Sequence, residues 1–294
     1  MLDYRVQTFL CACRHMNFTR AAEELHITQP AVSKHIRDLE RFYGSKLFRS
    51  EGKRLQLTPA GAVLLSTMTA VQNDESTLIK RMRQTGSETA LALGVTLTIG
   101  EYVLSPMLAR YLELHPDRDV RVEYANTSRL LELLHGGKLD FILVEGYYKA
   151  EEYETLHYRT EPFLPICAAV HRFVHPGPVR ELEDLLGERL LVREPGSGTR
   201  DILEKNLALK NLSVSSFAHH VEVASMHTIV DLLVRDCGVA FLYETAAARE
   251  LAAGALRTIP LAGFHMEHDF TFLWNRSGAF SQEYEAMCRE WAGF

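Results

Sequence analysis

Gln29, Ser33, Lys34 and Arg37 lie within a few helical steps of one another and carry the groups needed to read a base edge and neutralise phosphate. A Gln side chain pairs with the donor and acceptor of an adenine edge in the major groove, while Lys and Arg serve phosphate or guanine. At 100° per residue these four share a face with Pro30 and Arg41, and Val32, His35, Ile36 and Leu39 fall on the opposite face. An ordinary amphipathic helix with a solvated polar side would show the same pattern, so the neighbouring elements must decide between the two.

A second chemistry-bearing run is Arg193-Glu194-Pro195-Gly196-Ser197-Gly198-Thr199-Arg200. Its glycines let backbone N–H groups approach an anion, Ser197 and Thr199 add hydroxyl donors, and Arg193 or Arg200 adds charge. No Lys-Ser or Lys-Thr pair ends the run, so it is not a Walker loop. A plain turn leading into a Ser- or Thr-capped helix would have the same composition. Two further polar clusters, Thr96-Leu97-Thr98-Ile99-Gly100 and Asn126-Thr127-Ser128, raise the same choice.

The elements that must position these residues follow from capping and periodicity. Thr19 is placed to cap a first short helix whose Ala21 and Ala22 permit close approach of a second, with Leu25 and Ile27 burying the corner. Thr28 caps the second helix and Pro30 sits in its first turn. This is a helix-turn-helix pattern. Residues 47 to 58 read as two strands around a Gly-containing turn, with Arg49, Lys53 and Arg54 near its tip, a wing able to touch phosphates. Residues 1 to 60 carry ten Lys or Arg against six Asp or Glu, net +4; the rest of the chain carries 22 against 32, net −10. A cationic head joined to an acidic body suits nucleic acid at one end only.

From residue 59 to about 85, Leu64, Met68, Val71, Glu75, Leu78 and Met82 recur at alternating steps of four and three, the spacing of a heptad seam. The reading is a helix that pairs with a second copy; a single helix packed on its own domain is the alternative. Gln84-Thr85-Gly86-Ser87 reads as a hinge. Beyond it, short apolar strands (residues 90–97, 120–124, 139–144, 164–170, 190–192, 239–242 and 270–274) alternate with helical stretches (102–114, 128–135, 199–209 and 225–235), which implies α/β architecture. Such sheets bind ligands at the carboxyl ends of their strands, where the three polar clusters fall. Glu145, Glu222 and Tyr243 also fall at predicted strand ends. Two carboxylates beside an anion site favour a ligand with donors of its own, a zwitterion for example, unless each is ion-paired with a nearby Arg.

Length and composition bound the remaining classes. The 294 residues are enough for about two domains, and 47% apolar with 24% charged residues is the balance of a globular protein. No apolar run has the length of a membrane span and no secretory signal opens the chain, so no membrane partner and a cytoplasmic location are expected. The five cysteines are scattered without a C-x-x-C pair, which indicates neither a disulfide framework nor a zinc site. His219-His220 and His265-Met266-Glu267-His268 lack the spacing of a metal motif, and no G-x-S-x-G elbow occurs. The chain is thus read as a non-enzyme without cofactor or metal. The competing readings are a metabolite-handling enzyme with an accessory DNA-binding domain, and an effector-independent architectural DNA-binding protein.

The segment from Phe18 to Leu39, followed by Leu47-Phe48 and Leu57-Thr58-Pro59-Ala60-Gly61, resembles the N-terminal winged helix of LysR-type transcriptional regulators. One departure concerns the wing, because the family usually has Arg two places after the Leu-Phe pair and this chain has Ser50, with Arg49 beside it. Thr96-Leu97-Thr98, Leu134-His135-Gly136-Gly137-Lys138-Leu139-Asp140 and Gly238-Val239-Ala240-Phe241-Leu242 resemble the effector-binding region of the same family, so the likeness covers nearly the whole chain.

The resemblance implies a multidomain protein: a winged helix-turn-helix (1–58), a linker and dimerisation helix with hinge (59–88), and an α/β effector domain of two Rossmann-like subdomains similar to periplasmic binding proteins (89–294; subdomain I 89–161 and 266–294, subdomain II 162–265). Double-stranded promoter DNA is then contacted by Thr28, Gln29, Pro30, Ser33, Lys34, Arg37, Arg49, Lys53 and Arg54. By the resemblance a small-molecule effector is held by Thr96, Thr98, Ile99 and the turn Ser197, Gly198 and Thr199, and the polar strand ends add Gly100, Thr127, Ser128, Glu145 and Glu222 as expected contacts. Self-association runs through Leu64, Met68, Val71, Leu78 and Met82, with dimers pairing into tetramers as the family often does. The Arg193–Arg200 run resembles members that control sulfur assimilation or carbon fixation, which points to a small anionic metabolite.

Overall fold

The computed structural model describes residues 2–51, 54–83, 90–276 and 279–293. The chain divides into two compact units, Met1–Gly86 with Asn275–Ser281, and Ser87–Trp274 with Gln282–Phe294.

The first unit opens with α1 (Tyr4–His15), α2 (Phe18–Glu24) and α3 (Gln29–Tyr43), followed by the hairpin β1 (Phe48–Glu51) and β2 (Arg54–Leu57) and the long α4 (Pro59–Arg83). Asn17, not Thr19, caps α2: its Oδ1 accepts the backbone N–H of Thr19 at 2.8 Å and of Arg20 at 3.2 Å. Asn is the better cap because its short acceptor reaches two orphan N–H groups from outside the helix. Thr28 caps α3, its Oγ1 accepting from the Ala31 N–H. In the turn between them His26 has φ 53, which lets Ile27 N–H return to the Ala22 carbonyl. Ile27 stays exposed, so Leu25 closes the corner without it.

Phe9, Ala21, Ala22, Val32, Ile36, Leu39, Leu47 and Phe48 form the core of this unit. Two contacts fix the wing to it. Glu40 of α3 accepts the Leu47 N–H at 3.0 Å and holds Lys46 Nζ at 2.6 Å. Gly61 of α4 lies so close to β1 that a β-carbon there would come within 2.2 Å of the Leu47 carbonyl oxygen, which explains a glycine one turn into a helix.

The heptad seam of α4 divides. Leu64 is buried and Met68 half-buried against the same core, so the first two seam positions serve their own domain, as the single-helix alternative has it. Val71, Leu78 and Met82 are exposed, and Ile79 beside them is too. Glu75, the one polar seam residue, accepts the Leu2 backbone N–H. The hinge at 84–87 lies outside the described residues.

The second unit is an α/β assembly. Its first part contains β3 (Leu91–Val95), α5 (Leu97–Tyr102), α6 (Leu104–Leu114), β4 (Val120–Tyr124), α7 (Thr127–His135) and β5 (Phe141–Val144). The long β6 (Tyr153–Ala168) follows, then β7 (Arg189–Val192), α8 (Gly198–Leu209), β8 (His219–Glu222), α9 (Met226–Val234), β9 (Val239–Tyr243), α10 (Glu244–Ala252), β10 (Leu256–Thr258), β11 (Glu267–Asn275) and α11 (Ser281–Ala292). The strands run in the order β4-β3-β5-β11-β6-β9-β7-β8, with β10 on β6.

Strands β4, β3 and β5 are parallel, as are β8, β7 and β9. Strand β11 joins β5 and strand β6 joins β9, both antiparallel, so these two long strands carry the chain between the halves. The helix expected over 102–114 is found as α6 from Leu104 on, and a further short helix, α5, precedes it. Strand β3 ends at Val95, α5 starts directly after it, and the chain breaks at Val103. Pro106, in the first turn of α6, has no N–H to give to the Tyr102 carbonyl, which favours the break. Helices α10 and α11 and the first eleven residues of β6 are additions to the expected pattern.

Candidate DNA-reading face and effector cleft

Helix α3 presents Gln29, Pro30, Lys34, Arg37 and Arg41 to solvent and buries Val32, Ile36 and Leu39. Thr28 at its N-terminus is exposed, and Ser33 is half-buried. Gln29 Nε2 donates to Ser33 Oγ at 3.0 Å, one turn on, which holds the amide along the helix and leaves its oxygen outward. His35, expected on the buried side, is half-buried and shares a 3.0 Å hydrogen bond with Thr8 Oγ1 of α1. Polar atoms on the inner face are therefore paired, and the outer face is cationic. In the wing, Arg49 donates through Nε and Nη2 to Gln56 Oε1 across the hairpin, at 3.2 and 3.0 Å. Lys53 lies outside the described residues, and of Arg54 only the backbone is described, in β2.

In the second unit the strand ends converge. Thr96 and Thr98 follow β3, Thr127 follows β4, Glu145 follows β5, the Arg193–Thr199 run follows β7, and Tyr243 ends β9. Glu145 is the hub. Its side chain is 2% exposed, the Thr96 hydroxyl donates to its carboxylate, and the Thr127 hydroxyl donates to its carbonyl at 2.8 Å. Burial pushes the Glu145 carboxyl up from its ordinary value, against the Thr96 hydrogen bond and the Arg193 charge, which favour the ionised form. Burial likewise pushes the Tyr243 phenol well up, with the Glu145 charge acting in the same direction.

The carbonyl of Glu145 meets the backbone of Gly198, where a β-carbon would lie 2.3 Å from that oxygen. Gly146, at φ +105, leaves no more room: a β-carbon there would lie 2.6 Å from the Gly198 α-carbon. The turn after β7 and the turn after β5 are thus in backbone contact. Gly146 carried no signal in the sequence beyond following a strand.

Among the described residues, Thr98 Oγ1, Ser197 Oγ, Thr199 Oγ1, Arg193 Nη1 and Tyr243 OH are buried without a hydrogen-bond partner. Ser197 occupies the N-cap position of α8 yet makes no capping hydrogen bond, so the plain capped-turn alternative does not account for its hydroxyl. An unpaired buried polar atom costs roughly 1–3 kcal/mol, and evolution tolerates such a cost where a ligand repays it. Arg193 is 2% exposed and holds Glu194 through Nε and Nη2 at 2.8 and 2.9 Å, which aligns its remaining nitrogen. The set is dominated by donors: three hydroxyls, a phenol, a guanidinium and the first turn of a twelve-residue helix.

The other expected effector residues separate. Ile99 and Gly100 are buried in α5, and the Gly100 carbonyl accepts from Tyr124 OH at 3.2 Å. Ser128 is exposed, and the cap of α7 is supplied by Asn126, whose Oδ1 accepts the Arg129 N–H. Glu222 lies opposite Val192, the last residue of β7, across the β7–β8 pair. It is exposed on β8 at the sheet edge and pairs with Arg200 Nη1 at 2.7 Å, while Arg200 Nε also holds Glu204 at 2.7 Å. The ion-pair alternative applies to it, because an edge strand leaves its terminal side chain in solvent. Glu145 is the buried carboxylate among the donors, and half-buried Glu194 is taken up by Arg193.

Among the described residues no helix is long and apolar enough to cross a membrane. One group of metal-ligating types converges: Cys11 and His15 of α1 with Glu24 of α2, their ligand atoms within 4.8 Å of one another. A search for paired cysteines or histidine motifs passes over it, since Glu24 joins the other two only when α2 packs on α1.

The family model described as the LysR substrate binding domain matches residues 84–290, and that of the bacterial regulatory helix-turn-helix protein, lysR family, matches residues 4–62. The chain is similar to the HTH-type transcriptional regulator CysL of Bacillus subtilis, 27% identical over 277 residues, which is 91% of this chain and 89% of CysL. It is 27% identical over 280 residues to the probable RuBisCO transcriptional regulator of Nostoc, covering 93% of this chain and 82% of that protein. Full-length OxyR of Pseudomonas aeruginosa shares the fold at TM-score 0.57 and 22% identity, over 100% of this chain and 99% of OxyR. The regulatory domain of Synechocystis CcmR, solved in complex with 2-PG, aligns at TM-score 0.60 and 16% identity over 69% of this chain and 96% of that domain. With a helix-turn-helix head, an α/β body whose donors gather at strand ends, and family matches over both, this chain belongs to the LysR family of transcriptional regulators.

Proposed function

We propose that this regulator binds promoter DNA sequence-specifically and that a small anionic metabolite, entering between the strand ends of the α/β unit, changes that binding. The observation carrying the reading is the group of unpartnered donors, Thr98, Ser197, Thr199, Arg193 and Tyr243, on the turns that flank Glu145. An anion satisfies donors, and the one buried carboxylate favours a ligand that also brings a proton donor, such as a zwitterion or hydroxy acid. A relative named as a RuBisCO regulator keeps carbon-fixation metabolites among the candidates.

On the DNA, Gln29 and Ser33 lie at base edges, with Lys34, Arg37 and Arg49 on phosphates. Val71, Leu78 and Ile79 of α4 supply the surface for a second copy, and a dimer, or a tetramer of paired dimers, sets two heads on successive major grooves. The ligand acts only through unequal affinity for two arrangements of the protein.

A thermal-shift screen of small anionic metabolites, followed by a binding assay on operator and random DNA with and without each hit, tests this. A metabolite that raises the melting midpoint and alters operator affinity supports it. Operator binding indifferent to every stabilising metabolite overturns the effector reading. Equal affinity for operator and random DNA overturns the sequence-specific one.

A further inference from the structure

We propose that Cys11, His15 and Glu24 form a divalent transition-metal site of the zinc class that clamps α1 to α2 beneath the DNA-reading helix. Cys11 and His15 are four residues apart on α1, so both side chains rise from one face, and α2 lays Glu24 across that face. The three ligand atoms lie within 4.8 Å of one another. Tetrahedral zinc with bonds of about 2.0–2.3 Å needs ligand separations of about 3.5 Å, so side-chain adjustments on the order of 1 Å complete the geometry. His15 Nε2 and Glu24 Oε2 are already 2.6 Å apart.

The supporting groups suit a metal. Arg14 Nη2 binds the other Glu24 oxygen, Oε1, which fixes the carboxylate and leaves Oε2 turned to His15. A carboxylate oriented by a second shell in this way is the usual arrangement around bound zinc. Ala21 and Ala22 let α2 approach closely, and the Cys11 thiol donates to the Ala21 carbonyl at 3.8 Å, a hydrogen bond that the metal–sulfur bond replaces. A thiolate, an imidazole and a carboxylate select a borderline cation such as Zn2+ or Co2+ over Mg2+ or Ca2+, and three protein ligands leave a fourth position for water. Binding displaces the Cys11 thiol proton to solvent, while the hydrogen that His15 shares through Nε2 with Glu24 moves to Nδ1 as Nε2 takes the metal.

The test titrates Co2+ and then Zn2+ into full-length protein purified under reducing conditions and treated with chelator. The expected result is one Co2+ per chain with a sulfur-to-cobalt charge-transfer band in the near ultraviolet, bleached by one equivalent of Zn2+. Cys11→Ala abolishes the band, His15→Gln and Glu24→Gln each weaken affinity at least about tenfold, and Arg14→Met weakens it about tenfold. Cys13→Ser and Cys237→Ser leave the band intact, which separates this site from the other thiols. Each variant is checked by circular dichroism; if Cys11→Ala fails to fold, the His15 and Glu24 variants decide. Absence of the band, its persistence in Cys11→Ala, or affinity unchanged in both His15→Gln and Glu24→Gln overturns the site.

Discussion

The carbonyl oxygen of Glu145 faces the α-carbon of Gly198 so closely that no side chain fits between the turn after β5 and the turn after β7. This contact couples the cleft to the closeness of the two sheet halves. Gly198→Ala places a methyl 2.3 Å from that oxygen and forces the turns apart. Overpacking of this kind costs about 1–3 kcal/mol. The expected outcome is a lower melting temperature in differential scanning calorimetry together with loss of the metabolite response. A variant with wild-type stability and response would show that the turns yield freely.

Removal of an unpaired hydroxyl costs the fold little, because no protein hydrogen bond is lost. Thr98→Ala and Ser197→Ala are therefore expected to hold or raise thermal stability while weakening the metabolite-induced thermal shift, each by about one hydrogen bond, roughly 1 kcal/mol or about fivefold in affinity. Operator affinity without metabolite stays the same. Full response in both variants would remove the assigned cleft donors.

Glu145 should make stability fall as pH rises. Its folded carboxyl titrates above the ordinary value of 4.5, so between 4.5 and the folded value the native state holds more of the proton than the unfolded chain does. Under that condition stability declines with increasing pH, at most about 1.4 kcal/mol per pH unit from this one group. Glu145→Gln keeps an acceptor for the Thr96 hydroxyl and has no proton to lose. Urea unfolding at several pH values should show that the variant lacks part of the wild-type decline and is the more stable protein at neutral pH.

Gln29 and Arg37 sit on one exposed face, yet their replacement should be distinguishable. Gln29→Ala is expected to cost about 1–3 kcal/mol on operator DNA and little on random DNA, since base reading is lost. Arg37→Ala should weaken both and reduce the salt dependence of binding by about one phosphate contact. Competition titrations at two salt concentrations measure both effects. Equal loss on both DNAs for Gln29→Ala would reassign that residue to positioning.

Leu78→Glu and Leu64→Glu separate the two parts of α4. Leu78 is exposed, so a charge there should shift sedimentation equilibrium toward monomer without unfolding the head. Leu64 is 7% exposed in the head's own core, and a buried charge there should destabilise the head by several kcal/mol.

The local parts of this protein were legible in its residues. The face of α3 follows from a 3.6-residue period, the Thr28 cap and the two wing strands from side chains adjacent in sequence, and the α/β alternation from runs of apolar residues, because each depends on neighbours only a few positions away. The same reasoning placed the cap at Thr19, whereas Asn17 supplies it; both types cap helices, and only the backbone path tells which residue lies outside the first turn.

What the tertiary structure alone decided is which chemically similar groups became buried together. Glu145 and Glu222 both lie at strand ends, but β5 is interior and β8 is at the edge, so one carboxylate is buried among the donors and the other is exposed and paired with Arg200. Leu64 and Leu78 share one heptad register, yet only the first lies where the head covers it. Cys11 and His15 declare their common face by spacing, whereas Glu24 reaches them only through packing of α2 on α1. Burial and long-range pairing set these outcomes, and both depend on strand order and helix contact rather than on the identity of adjacent residues.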